Sequence, residues 1–256
     1  MSLELDINIE EELENPLIQG LDLSMFGAAD LMNLILQRSE VLFDVNKKGR
    51  VTRAWQNGDD SLVKEQVERL GDQIAYRTAA QIYGEYRTIE PLLEQISPKK
   101  IADIGCGYAF FDLFAARHLN CGLLLIDLEE NEHQHFGFAD EGVAYSSLEK
   151  TREMLRANGV DGRKITTLNP KDKDVMKVGK VDLAVSFLSC GFHYPVDSYL
   201  DFFQKKITPN GGVVLDFRTG TMPDQIIALA QRGLVQSEEL ASAPKVRRIL
   251  LKREKL

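Results

Sequence analysis

The amino-acid sequence predicts an α/β protein: a doubly wound, mainly parallel sheet with an antiparallel edge strand, preceded by a helical N-terminal extension. Three observations predict it. From Lys99 onward, short apolar runs alternate with segments of helical period. Before Lys99 only helical periodicity is found. Where the two textures meet, a glycine-bearing turn in IADIGCGYAF (Ile101–Phe110) leads from an apolar strand into the helical segment FFDLFAARHL.

The extension, residues 1–98, begins with six acids and no base between Glu4 and Glu14, the pattern of a solvated or frayed tail. LMNLILQRSEVLFDVN, from Asp30 to about Asn46, reads as a helix with an apolar stripe. A polar stretch with the single tryptophan, Trp55, follows. Asp60 and Ser61 can then cap a second helical region, in which Leu70, Ile74, Ile82, Tyr86, Ile89, Leu93 and Ile96 recur at helical spacing. Pro91 predicts a break there into two helices.

In residues 99–256 the expected strands are KKIADIG, GLLLID, KITTL, VDLAVSF, GGVVLDF and KVRRILL. LVQSEEL reads as a short connection. The basic last strand is expected at a sheet edge, protected by its charges.

The chain has 256 residues, 44% hydrophobic and 27% charged, enough for a core without disulfides. Acids outnumber bases 39 to 31. A broad nucleic-acid surface is therefore not expected, since it needs clustered Lys and Arg. No apolar run reaches membrane-spanning length and the N-terminus lacks a leader pattern, so a cytoplasmic protein is expected. Three cysteines without a CxxC pair fit reduced thiols.

The glycine turn carries the functional signal. Glycines there permit positive φ and close approach to the backbone, and the helix behind offers free N–H groups. Asp127 ends the next strand, where an acid can accept both hydroxyls of a ribose. A dinucleotide loop would need a small residue where Phe110 stands. The order is instead Asp103, Gly105, Gly107, Ala109. This resembles motif I of class I S-adenosylmethionine (SAM)-dependent methyltransferases, with Ala109 replacing the last glycine. The resemblance covers residues 99–256 and implies a seven-stranded sheet with SAM as cofactor. It implies that Asp103 orients the methionine amino group, that Gly105, Cys106 and Gly107 pass against SAM, and that Asp127 holds the ribose. It places Leu128 on the adenine, Asn169 as a polar adenine contact, and Phe187, at the end of VDLAVSF, on the cofactor wall. Pro209-Asn210-Gly211-Gly212 resembles the turn before the family's fifth strand, with Asn210 inserted.

The resemblance implies that the loop after the fourth strand, LSCGFHYPVDSYL, faces the methyl group. His193 is the candidate base, with Tyr194 beside it and Asp197 as a possible orienting partner. The ordinary alternative is that Phe192, Tyr194 and Pro195 pack the loop and His193 caps the next helix. Cys190 reads as packing. His133 and His135 form an H-x-H pair, but no third ligand stands at characteristic spacing, so no metal is expected. Tyr83 and Arg87 share a helical face and can reach toward the SAM carboxylate or gate a substrate, or simply pack.

The expected function is methyl transfer from SAM to a small-molecule or sugar-like acceptor, with oxygen favoured because of His193. The extension would cover the site. The rivals are a protein-methylating enzyme, a non-catalytic SAM-binding module and an NAD oxidoreductase. Neither a nucleic-acid nor a membrane partner is expected, and a homodimer is left open.

Overall fold

The computed structural model describes residues 7–129 and 146–254. His133 and His135 lie outside the described residues.

The N-terminal part is helical: α1 (Ile9–Leu13), α2 (Pro16–Gln19), α3 (Ala28–Gln37), a 3-10 turn (Ser39–Leu42), α4 (Gly49–Gln56), α5 (Ser61–Leu70) and α6 (Gln73–Ile96). The acidic start is docked rather than frayed over its described residues. Asn8 caps α1 by accepting the Glu11 N–H, Ile9 is buried, and Glu12 pairs with Arg87 of α6 at 2.8 Å. The predicted first helix is shorter than expected, giving way to the 3-10 turn, and the polar stretch around Trp55 supplies α4. Burial of Val51 and Trp55 holds that helix in place.

Pro91 does not break α6. It lies on the exposed face, and its missing hydrogen bond would go to the carbonyl of exposed Arg87, which solvent can satisfy. The buried side of α6, including Ile74, Ile89 and Leu93, holds the helix against its neighbours as one continuous element.

The sheet contains β1 (Lys100–Ile104), β2 (Gly122–Ile126), β3 (Ile165–Leu168), β4 (Val181–Ser186), β5 (Ile207–Arg218), β6 (Leu234–Ala243) and β7 (Val246–Arg253), in the order β3-β2-β1-β4-β5-β7-β6. Among the described residues the α-helices of this part are α7 (Phe110–Leu119), α8 (Leu148–Ala157), α9 (Leu200–Lys206) and α10 (Met222–Ala230). The first five strands pair in parallel, while β7 is antiparallel to both β5 and β6. The antiparallel pairing lies at the expected end of the sheet. The last strand, however, is one place in from the edge, and LVQSEEL forms the outer strand β6. That segment concealed itself because most of its residues face solvent and its pairing slips twice in register. Conversely, β7 has a buried run from Arg248 to Leu251, as its central position requires.

Strand order reverses direction between β1 and β4, which opens a crevice at the carboxyl ends of these strands. One buried apolar cluster runs through both parts, joining Leu34 and Ile35 of α3 and Ile89 of α6 to Phe110 and Phe114 of α7 and Leu123 of β2. The helical part is thereby fixed over the crevice. Among the described residues no helix is long and apolar enough to cross a membrane.

Candidate active site

At the crevice lies a cavity of about 710 Å³, within the range of small-molecule sites, about 300–1,000 Å³. The glycine turn forms its floor. Gly105 and Gly107 have φ of +76° and +54°, the left-handed region where a side chain is strained. Ala109 is also left-handed, at φ +56°, and α7 starts immediately behind it. Alanine holds a conformation that glycine would adopt freely, at a cost of about 1–2 kcal/mol.

The turn is tied to the end of β2. Gly105 donates its N–H to the Ile126 carbonyl at 2.7 Å, and Gly107 donates to Asp127 Oδ2 at 2.6 Å. Asp127 also accepts from Leu128 N–H and Ser146 Oγ. Its first task is therefore to clamp the turn, with part of its accepting capacity left over. Desolvation lifts its pKa to about 6 despite these bonds. The space beside the glycines is shared with side chains of this chain: Ser189 lies against Gly105, and Gln37 of α3 against Gly107.

Asp103, at the carboxyl end of β1, is 4% exposed and lines the cavity, and its Oδ1 has no hydrogen-bond partner. Behind it Asp112, in the first turn of α7, is fully buried with neither oxygen partnered. Burial, then the neighbouring Asp112 carboxylate, pushes Asp103 well above the ordinary carboxylate range, and burial raises Asp112 to about 7.

Cys106, Leu128, Phe187, His193 and Tyr194 also line the cavity, so Asp103, Gly105, Gly107 and Asp127 share one wall system with both catalytic candidates. Asn169 does not line it. The Asn169 carboxamide accepts the Lys171 N–H, shaping a turn that presents Pro170 and Lys171 instead.

His193 is at the exposed rim. Its ring lies edge-on to Phe192, whose other neighbour is the Arg218 guanidinium. Desolvation, then the Arg218 charge, draws the imidazole pKa down to about 4. Tyr194 Oη accepts a 3.3 Å hydrogen bond from Ser189 Oγ, and burial raises its phenol far above the ordinary value, so it stays neutral. Cys190 is fully buried, its thiol raised by desolvation, as a packing residue would be.

The helical part contributes the opposite wall. Leu34, Gln37 and Arg38 come from the end of α3, and Thr78, Ile82 and Glu85 from one face of α6. Tyr83 and Arg87 are not on that face: Tyr83 packs on Phe114 and Arg87 pairs with Glu12. A buried charge network was invisible in the sequence. Arg38 grips Glu85 with two bonds (2.8 and 3.3 Å), while Arg248 of β7 grips Asp216 of β5 (2.8 and 2.9 Å) and stands 3.6 Å from Glu85. The Arg248 guanidinium covers the Phe187 ring at 4.2 Å.

No family model matches the chain, and no curated protein matches it. Among solved structures it is similar to a ribosomal protein L11 methylase from Lactobacillus delbrueckii subsp. bulgaricus. The identity is 17%, the match covers 69% of this chain and 80% of that one, and the TM-score is 0.49. A TehB-like SAM-dependent methyltransferase from Corynebacterium glutamicum is 15% identical over 74% of this chain and 99% of its own, with a TM-score of 0.48. A putative O-methyltransferase from Nostoc punctiforme is 19% identical, with a TM-score of 0.47; the match covers 70% of this chain and 58% of that one. These likenesses carry no information about the acceptor. By its own strand order and the antiparallel insertion of β7, the chain has a Rossmann-like fold, as the sequence predicted.

Proposed function

We propose that the protein is a SAM-dependent methyltransferase acting on a small-molecule or sugar-like acceptor, preferentially at oxygen. One observation carries this reading. A buried acid with an unpartnered oxygen (Asp103), a left-handed glycine turn and a strand-end acid (Asp127) converge on a single cavity that helices close from the other side.

The residues present suit such a cofactor. The Asp103 carboxylate would accept from its ammonium group, and the remaining lone pairs of Asp127 would accept from a ribose hydroxyl. Leu128 would supply an apolar wall for the base. When bound, SAM supplies an electrophilic methyl group on a sulfonium. The chain's own work is then to align an acceptor in line with it and keep competing water out, the usual main source of acceleration in such displacements.

His193 is neutral at pH 7 and can take a hydroxyl proton on an unprotonated ring nitrogen. With a pKa near 4 it is a weak base, so its contribution is positional as much as chemical. Tyr194, also neutral, would act as a hydrogen-bond partner only.

Thermal-shift titration with SAM, S-adenosylhomocysteine and NAD is the first test. Stabilisation by the adenosyl ligands and not by NAD is expected; no response to either would overturn the assignment. A screen of small hydroxylated acceptors with labelled SAM follows. His193→Ala and Tyr194→Phe should lose transfer and retain binding. Binding without transfer to any acceptor would instead favour a non-catalytic SAM-binding module.

A further inference from the structure

Three buried carboxylate oxygens without partners occur together at one place: Asp103 Oδ1 and both oxygens of Asp112. Such orphaned groups are costly in an interior. Asp103 is 4% exposed and Asp112 0%, and their carboxyls are within hydrogen-bonding reach of each other. Two carboxylates this close cannot both stay ionised in a low-dielectric site without a cation between or beside them. The simplest satisfaction is one shared proton, carried on one acid and accepted by the other.

We infer that Asp112 is a positioning residue for the cavity, sharing a proton with Asp103 that leaves when a ligand's ammonium group docks on Asp103. The inference rests on the proposed SAM-binding reading and goes beyond it, because Asp112 does not line the cavity and belongs to no binding motif. The exchange balances. A protonated ligand amine meets a pair of net charge −1, docks on a pair of charge −2, and one proton passes to solvent.

The surroundings favour this exchange over other proton sources. Facing Asp103 are Asp112 from α7, Asp127 from the end of β2 and the Arg38 guanidinium from the helical part. The Arg38 charge favours ionised Asp103, while the two acids oppose it. The thiols of Cys106 and Cys121 lie close to these acids and are raised by burial, so they stay protonated throughout. His193, about 4, is deprotonated at neutral pH, and Asp127, about 6, is largely so. The pair's proton is the one held on the docking acid itself.

The test is isothermal titration calorimetry of S-adenosylhomocysteine into the full chain at about pH 7, in buffers of different ionisation enthalpy. About one proton should be released per ligand bound, and affinity should rise by up to about tenfold per pH unit in that region. Asp112→Asn cannot share a proton and instead offers an amide donor to Asp103. It should release almost none and bind with a flattened pH dependence. A merely structural role for Asp112 would shift affinity or stability and leave the proton count unchanged. Binding without proton release in the native chain, or unchanged release from Asp112→Asn, overturns the inference while the SAM-binding reading stands. Should that variant fail to fold, the native proton count and the pH dependence of native affinity decide. Absence of any binding heat or thermal stabilisation would overturn both.

Discussion

Ser189 occupies the space that a side chain at position 105 would need: a Cβ built there comes within 2.5 Å of the Ser189 Cβ and overlaps its hydroxyl. Gly105 is thus required twice, by its left-handed backbone and by a neighbour from the loop after β4. Gly105→Ala should destabilise the protein by about 2–4 kcal/mol, combining strain and overpacking. Adding Ser189→Gly removes the overlap alone and should restore about half. Urea denaturation of the two variants checks this; no recovery in the double variant would mean that backbone strain is the whole effect.

The buried charge network predicts an asymmetry. Asp216→Asn strips Arg248, which is 1% exposed, of its two-pronged partner. Breaking one side of such a pair costs about 3–5 kcal/mol. Replacing both, as Asp216→Leu with Arg248→Met, should be much milder than either single change, because no uncompensated charge remains. Thermal melts of the three variants distinguish a net-stabilising pair from one that merely must not be broken.

Stability should fall as pH rises from about 4 to 7. Burial holds a proton on the Asp103–Asp112 pair well above the ordinary aspartate value near 3.8, and on Asp127 to about 6. In this window the folded state therefore binds more protons than the unfolded one, and each step upward in pH favours unfolding. Asp112→Asn should flatten that slope, as measured by urea midpoints at a series of pH values.

Asp44 gives the opposite sign. It accepts two bonds each from Arg69 and Arg77, which hold its carboxyl well below the usual range. Its stabilisation is complete above the unfolded value near 4 and is lost as pH falls toward the depressed folded value. The site is about one-third exposed, so Asp44→Asn should cost only about 1 kcal/mol, and less at high salt.

If His193 takes the acceptor proton, kcat/KM should show its acid limb near pH 4 and not near the unperturbed 6.5. Arg218→Gln, by removing the nearby cation, should move that limb upward. A limb that Arg218→Gln leaves in place would exclude His193 as the titrating base.

The sheet core and its glycine turn were legible because their signals are local. Asp103, Gly105, Gly107 and Asp127 occur within 25 residues and carry fixed roles at strand ends. Pro91 misled because a proline's effect depends on whether solvent can reach the abandoned carbonyl, which no local pattern reveals. β6 was hidden by its exposed, polar edge position. Arg38, Glu85, Asp216 and Arg248 had no signal at all: each reads as an ordinary charged residue until the fold brings partners together from distant parts of the chain. Asp112 was lost inside an apolar helix pattern, FFDLF, where one acid looks like a surface position.

The place of β7 sets an order on assembly during translation. Glu85 emerges about 160 residues ahead of Arg248, which at ribosomal speeds of about 5–20 residues per second is a delay of roughly ten to thirty seconds. Until then β5 has an open flank and Asp216 lacks its guanidinium. The part of the cavity wall that Arg248 supplies can therefore be completed only after β7, which lies between two strands made before it, has itself been synthesised.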